Sequence, residues 1–492
     1  MRILYLMGVS ACLAAIAFAQ TPSYTLTDLG PAGNMFSQAN QVNNNGFVAG
    51  LATVPSGAQH SYMWYEGIYA DIGGLGGTNS GAGGVNNLGQ VMGGAETTTK
   101  DPNSENFCGY GTGLQCLVYE WQNGIITALP TLGGTNANWG GINNAGETAG
   151  VAETNVRDPK CPAGVAANGI GPLVLDYEPV IWGPGPGQIR QLPLPSGDTV
   201  GYAFAINDLG QAVGMTGTCA TTTLPGPSAS LHAVLWENGA VTNLGNLGGT
   251  YNPAAPGVGN VALNVNNKGQ VVGTSAIPGS AHNHAFLWTW EAGMQDLGTL
   301  PGDVFSAGFW INNRGEVIGA SVGAPGPPMG NFRPFLWTNG KMLDLTTLVP
   351  ANSPLQLLNA SSINDRGEIT GFGLTSNGEV HAFLLTPAKT SSSDTSGPTG
   401  TAAIVTPLNL TTSDSSVVLD GSGSTSAAGA LQYLYMVVPG GKQAAILQIA
   451  TDPKATIDFV EGAGLYLIQL TVTDASGNSA KSPVITLNYQ PS

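Results

Sequence analysis

The chain has 492 residues, 42% of them hydrophobic and only 9% charged, with 72 glycines and 32 prolines. That composition predicts a folded, turn-rich chain with few long helices. The net charge of −16 excludes a phosphate-backbone binder and a polybasic membrane surface, because both need clustered Lys and Arg.

In chain order, residues 1–19 read as an export signal. Arg2 supplies the positive start, an apolar run extends from Ile3 to Ala17, and Ala17-Phe18-Ala19 is a small-x-small cleavage site. No later stretch has the roughly 18 uncharged apolar residues of a spanning helix, so the mature chain is expected to have no membrane span and to be secreted or held at the cell surface.

Residues 20–387 carry an internal repeat, apolar-Asn-[Asn/Asp]-x-Gly-x-x-x-Gly. The seven copies begin one residue before their first asparagines, Asn43, Asn86, Asn143, Asn207, Asn266, Asn312 and Asn364. Asn tolerates turn backbone and bonds its own main chain, and Gly supplies positive φ three positions on, as in a hairpin with a bulge. The motif therefore reads as a turn between strands A and B. An aromatic-rich strand C follows, ending at Trp64, Trp121, Trp182, Trp236, Trp288 and Trp337, with Leu385 at that place in the last copy. A second turn signal and a strand D come next. The last copy lacks strand D, and Tyr24 to Gly30 supplies one. Four strands in each of seven units predict an all-β, seven-bladed β-propeller closed by its N-terminal strand.

Three residues before each motif stand Ala39, Ala82, Trp139, Ala203, Ala262, Gly308 and Ala360. Small residues suit crowded inner strands. Trp139 either fills a void between blades or offers a stacking surface to a ligand. Leu75-Gly76-Gly77-Thr78, Leu132-Gly133-Gly134-Thr135, Leu247-Gly248-Gly249-Thr250, the Ile-Asn-Asn-x-Gly turns and His381-Ala382-Phe383-Leu384 resemble the repeats of the bacterial extracellular HAF family. That resemblance covers about residues 22–387 and implies an extracellular repeat protein without implying an activity.

Four cysteines remain after the signal: Cys108, Cys116, Cys161 and Cys219. An even count in an oxidising compartment predicts disulfides. Cys108 is paired with Cys116 and Cys161 with Cys219, and free thiols are the alternative. Irregular spacing without a C-x-x-C pair gives no metal site, and no cofactor is expected.

His60, His232, His284 and His381 recur four residues before the Trp position, which reads as structure. His282 beside His284 is a weak metal signal. The separation from the last motif Gly to the Trp position is greatest in copies two to four. Loops 95–117, 151–178 and 215–232 are thus the candidate recognition surface. Their carboxylates, Glu96, Asp101, Glu105, Glu153, Asp158, Asp176 and Glu178, read as solvated loop charge. A pair of them flanking a glycosidic bond is the catalytic alternative.

Residues 388–400 form a Ser/Thr/Gly linker. Residues 401–492 alternate as half-buried strands, notably over Gly464 to Asp474. Val417-Val418-Leu419-Asp420-Gly421-Ser422 and the 464–474 strand resemble a PKD or related Ig-like sandwich, a spacer or adhesion module. Asp420 and Asp474 read as turn caps, with calcium ligation as the alternative.

The function expected is a binding protein whose loop face recognises an extracellular glycan or a surface protein. A carbohydrate-active hydrolase or lyase and a structural envelope component are the alternatives. No residue is assigned as catalytic.

Overall fold

The computed structural model describes residues 23–491 except 31–35, 66, 123, 158–173, 219–231, 250–258, 280–281, 324–331, 389–402, 427–428, 439–440, 443, 449–450 and 475–478. The predicted export segment and the linker beyond Ala388 lie outside these residues. The described chain is all-β, with one short 3₁₀ turn, Leu345–Leu348.

Seven four-stranded antiparallel sheets carry the repeats. Sheet 1 is Ser37–Val42, Val48–Thr53, Gln59–Tyr65 and Ile68–Gly73. Sheet 2 is Gly76–Val85, Val91–Lys100, Leu114–Gln122 and Ile125–Ala128. Sheet 3 is Gly133–Ile142, Thr148–Arg157, Leu175–Trp182 and Ile189–Gln191. Sheet 4 is Val200–Ile206, Ala212–Gly217, His232–Glu237 and Ala240–Asn243. Sheet 5 is Val261–Val265, Val271–Ala276, Asn283–Thr289 and Gly293–Gly298. Sheet 6 is Asp303–Ile311, Val317–Gly323, Phe332–Thr338 and Lys341–Asp344. Sheet 7 is Leu355–Ile363, Ile369–Thr375 and Val380–Pro387, with Tyr24–Asp28 as its fourth strand. Tyr24 faces Pro387 and Asp28 faces Phe383 in that last pairing.

The motif residues explain themselves in pairs. In each turn the first Asn accepts two of its own turn's N–H groups. Asn86 Oδ1 takes those of Leu88 and Gln90, both at 3.0 Å. Its Nδ2 then donates to the carbonyl of Asn143, 2.9 Å away in the next sheet. The same link runs from Asn43 to Asn86, Asn143 to Asn207, Asn207 to Asn266, Asn266 to Asn312, Asn312 to Asn364, and Asn364 back to Asn43. An amide offers a two-lone-pair acceptor and an NH₂ donor on separate atoms of one short side chain, which fits Asn at all seven first positions. The second position needs an acceptor alone. There the backbone N–H donates to the next sheet's second side chain, as from Asn87 to Asn144 at 2.7 Å and Asn144 to Asp208 at 2.8 Å. Asp therefore serves at 208 and 365. This second series also returns on itself, from Asp365 N to Asn44 Oδ1 at 2.9 Å.

The last Gly of the motif is set by crowding. A Cβ at Gly50 would overlap the carbonyl of Gln38 and press on the Tyr62 ring; one at Gly319 would overlap the carbonyl of Ala307 and press on Phe335. The predicted bulge lies in strand A rather than in the turn. All seven first strands shift register next to the small-residue position, between Ala39 and Gln41 in sheet 1 and between Trp139 and Ile142 in sheet 3.

The core is divided among the gaps between neighbouring sheets. Ala149, Ile181 and Trp236 pack between sheets 3 and 4, for example, and Leu29, Val42, Tyr62 and Leu384 between sheets 7 and 1. Trp182 Nε1 and Trp236 Nε1 each donate at 2.7 Å to a proline carbonyl, Pro130 and Pro193, just past the fourth strand of the preceding sheet. Burial of an indole with its N–H satisfied contributes several kcal/mol, about 3–5 by truncation to Ala.

Residues 403–491 form two sheets on one core. The larger contains Asn409–Thr412, Leu431–Val437, Gly464–Asp474, Ser479–Lys481 and Ile485–Tyr489; the smaller contains Ser416–Asp420, Ala445–Gln448 and Lys454–Asp458. Leu419 and Ile457 of one meet Tyr435, Tyr466 and Leu470 of the other. Asp420 accepts the Ser422 N–H at 2.9 Å, which lowers its carboxyl pKa, as a turn cap does.

Candidate functional site

The A–B and C–D turns of all seven sheets share one end, since strands A and C point the same way. The B–C and D–A connections share the other. The C-terminal unit sits on the turn end of sheets 1 and 2. Met436 and Val438 join the core of Phe47, Met63, Tyr65 and Trp121. Tyr65 Oη donates to Gln469 Oε1 at 2.6 Å, and Lys481 Nζ donates to the Asn45 carbonyl at 2.8 Å. The same ammonium lies 4.3 Å from the centre of the Tyr65 ring, a cation–π contact. The unit thus rests on the turn end and leaves the loop end facing away from it.

At the loop end of sheets 2 and 3 the carboxylates are not solvated, contrary to expectation. Strands B run on to Lys100 and Arg157, so part of loops 95–117 and 151–178 is strand. Glu96, Asp101, Glu105, Glu153 and Glu178 are buried. The Leu-Gly-Gly-Thr segments bring backbone to the two strand-borne glutamates. Gly76 and Gly133 have positive φ, 91° and 106°, and a Cβ at Gly77 or Gly134 would collide with strand B. Asn79 N then donates to Glu96 Oε2 at 3.1 Å, and Asn136 N to Glu153 Oε2 at 2.8 Å.

The two glutamates differ at their second oxygens. Glu96 Oε1 accepts from the Thr112 hydroxyl. Glu153 Oε1 is buried without a hydrogen-bond partner. Glu105 lies beside Glu153 and holds sheet 3 through Val174 N, 2.6 Å from its Oε1. Asp101 Oδ2 accepts from Thr135 Oγ1 at 2.8 Å and Asn136 Nδ2 at 2.9 Å. Burial first, and then the Glu105 charge, push the Glu153 carboxyl up to about 9. Burial also raises Glu105. Burial therefore favours the protonated form at this pair of carboxyls. The segment bearing these groups is closed by a Cys108–Cys116 disulfide, Cα–Cα 5.4 Å, and its Phe107 is buried.

A larger opening lies at the loop end between sheets 6 and 7. It holds about 870 Å³ and is lined by Phe309, Phe332, Leu357, Leu358 and Phe372, with Arg333, Thr346, Gln356 and Asn359. Phe332 is 61% exposed. Arg333 does not point a free charge into it: Nη2 meets Asp303 Oδ2 at 2.9 Å and Nη1 meets Asp344 Oδ2 at 3.3 Å. A smaller cavity, about 130 Å³, lies among the paired Asn and Asp side chains at the turn end. The two Asp side chains there, Asp208 and Asp365, are already bonded to Asn side chains of other sheets.

The recurrent histidines pair with carboxylates. His60 Nδ1 lies 2.7 Å from Asp71, His284 Nδ1 2.9 Å from Asp296 and His381 Nδ1 3.0 Å from Asp28, each across strands C and D of one sheet. His232 Nδ1 instead meets Asp198 at 2.7 Å, in the segment before its sheet's first strand. Arg333 takes the equivalent place in sheet 6. Trp139 is half-buried, and its ring occupies the space that a Cβ at Gly83 or Gly94 would fill; it packs sheet 3 against sheet 2. Cys161, Cys219, Asp158 and most of loop 215–232 lie outside the described residues. Among the described residues, no group of three or more His, Cys, Asp or Glu side chains is arranged to hold a metal ion, and no helix is long and apolar enough to cross a membrane.

No protein-family model and no curated protein matches the chain. A solved structure of Sidekick-1 immunoglobulin domains 1-5 aligns at 9% identity over 96% of this chain and 100% of that one, with a TM-score of 0.13. A likeness at that score carries no argument about this fold.

Proposed function

We propose that the chain is an exported binding protein: a seven-bladed β-propeller with an Ig-like or PKD-like module on its turn face. The propeller's loop face recognises an extracellular glycan or surface protein. Two cycles of seven hydrogen bonds support the ring. The pairing of Tyr24–Asp28 with Val380–Pro387 supports closure by the N-terminal strand. The HAF resemblance and the export signal support an extracellular place.

The observation that carries the binding reading is the division of labour between the two ends. The turn end is engaged by the chain's own C-terminal unit. The loop end presents a cleft of the size and lining that ligands occupy, mostly apolar with a few polar groups. Glu96, Asp101, Glu105 and Glu153 each accept hydrogen bonds from their own framework, which favours a structural role for them over bond cleavage.

The test is retention of the mature protein on insoluble polysaccharides and cell envelopes, with reducing ends assayed in the same tubes. Retention without new reducing ends is the expected result. New reducing ends would replace this reading with a hydrolase using the loop carboxylates.

A further inference from the structure

We infer that the cleft between sheets 6 and 7 is a subsite for an uncharged glycan; this rests on the binding reading above. Among the described lining residues the one cation, Arg333, is consumed by Asp303, Asp344 and the Pro301 carbonyl, 2.9 Å from Nη2. An anionic ligand would find no free positive charge among the described lining residues, which favours an uncharged occupant.

Phe309, Phe332 and Phe372 present aromatic rings from three strands. Between them stand two amides, Gln356 and Asn359, both on the first strand of sheet 7. Among the described residues neither side chain makes a hydrogen bond, whereas the motif Asn side chains are spoken for. A purely apolar ligand would bury those amides unpaired, which costs about 1–3 kcal/mol per group. A sugar ring answers both features. Its axial C–H face lies on an aromatic ring, and its neighbouring hydroxyls, each donor and acceptor, match the paired donor and acceptor of an amide.

The recognition surface expected at copies two to four is therefore not where this ligand sits. The carboxylates described in copies two and three are mostly buried, while sheets 6 and 7 keep open polar and aromatic groups.

The experiment is affinity electrophoresis of the full chain through gels containing mixed-linkage β-glucan, galactomannan or alginate. Migration should be retarded by a neutral polysaccharide and not by the polyanion alginate. Phe332→Ala and Gln356→Ala, both at exposed side chains, should each weaken binding about tenfold with unchanged melting. The control Val156→Ser, exposed on sheet 3, should bind as wild type. Retardation of Phe332→Ala and Gln356→Ala equal to that of wild type, or retardation by alginate alone, overturns the inference. If those variants are still retained on cell envelopes like wild type, the cleft is wrong and the binding reading stands. If wild type is retained on nothing, both fall.

Discussion

Asn364 Nδ2 donates to the backbone carbonyl of Asn43 at 2.9 Å, joining residues 321 positions apart. This bond links the last copy of the repeat to the first with the same atoms that link every other neighbouring pair. A turn-forming residue is thereby also the joint between sheets.

Two adjacent residues separate these roles. Asn86→Asp removes both Nδ2 donations, to Asn143 O and to Gln90 Oε1 at 2.6 Å, and puts negative charge against a buried carbonyl. A loss of about 3 kcal/mol is expected from the unsatisfied groups. Asn87→Asp keeps the acceptor for Asn44 N at 2.9 Å and should cost less than about 1 kcal/mol. Urea unfolding of both variants checks the contrast.

Deleting residues 21–30 exposes the edge of Val380–Pro387 and removes Tyr24 from the core between sheets 6 and 7. Unpaired edges invite intermolecular pairing. The truncated chain should melt earlier or oligomerise, as read by calorimetry and size-exclusion chromatography.

Burial and then the Glu105 charge raise the Glu153 carboxyl to about 9 in the folded chain, against an ordinary 4.5 when unfolded. Between those limits the folded state holds more protons, so stability falls as pH rises; above the upper limit the loss is complete. Glu153→Gln keeps an acceptor for Asn136 N and supplies the missing proton permanently. It should flatten stability against pH across that window, by up to about 1.4 kcal/mol per pH unit, and leave the protein at least as stable at pH 7. Unfolding titrations at several pH values measure this.

Met436 packs where the turn of sheet 2 has Gly89, with space for no Cβ there: one would lie 2.8 Å from the Met436 sulfur. Met436→Asp places a charge in that contact and should release the C-terminal unit from the turn end. Small-angle scattering should then report a larger radius of gyration, with each unit still folded.

Much of the architecture was legible because it is periodic. Seven copies of the Asn turn, the aromatic third strand and the spare strand at Tyr24 each repeat or complete a local pattern. The four recurrent histidines were read as structural from their spacing alone, and each meets an Asp. What stayed hidden depends on partners far apart in the chain. Nothing local to Asn86 says that its amide reaches Asn143. The carboxylates of copies two and three looked solvated because their burial comes from backbone brought by Leu-Gly-Gly-Thr segments of other strands. The cleft was invisible for the same reason: Phe309, Phe332, Gln356 and Phe372 are apolar or polar residues of ordinary strands until sheets 6 and 7 meet. The seat of the C-terminal unit rests on Lys481 and Tyr65, 416 positions apart, and no motif marks either.

Hydroxyl-radical footprinting of the full chain, free and bound to the envelope or polysaccharide that retains it, asks directly which end of the molecule binds. Protection should fall on Phe332 and Leu358 at the loop end. Leu209 and Trp290, 69% and 55% exposed at the turn end, should react as in the free protein. Protection of Leu209 and Trp290 with Phe332 unchanged would contradict a loop-face binding protein.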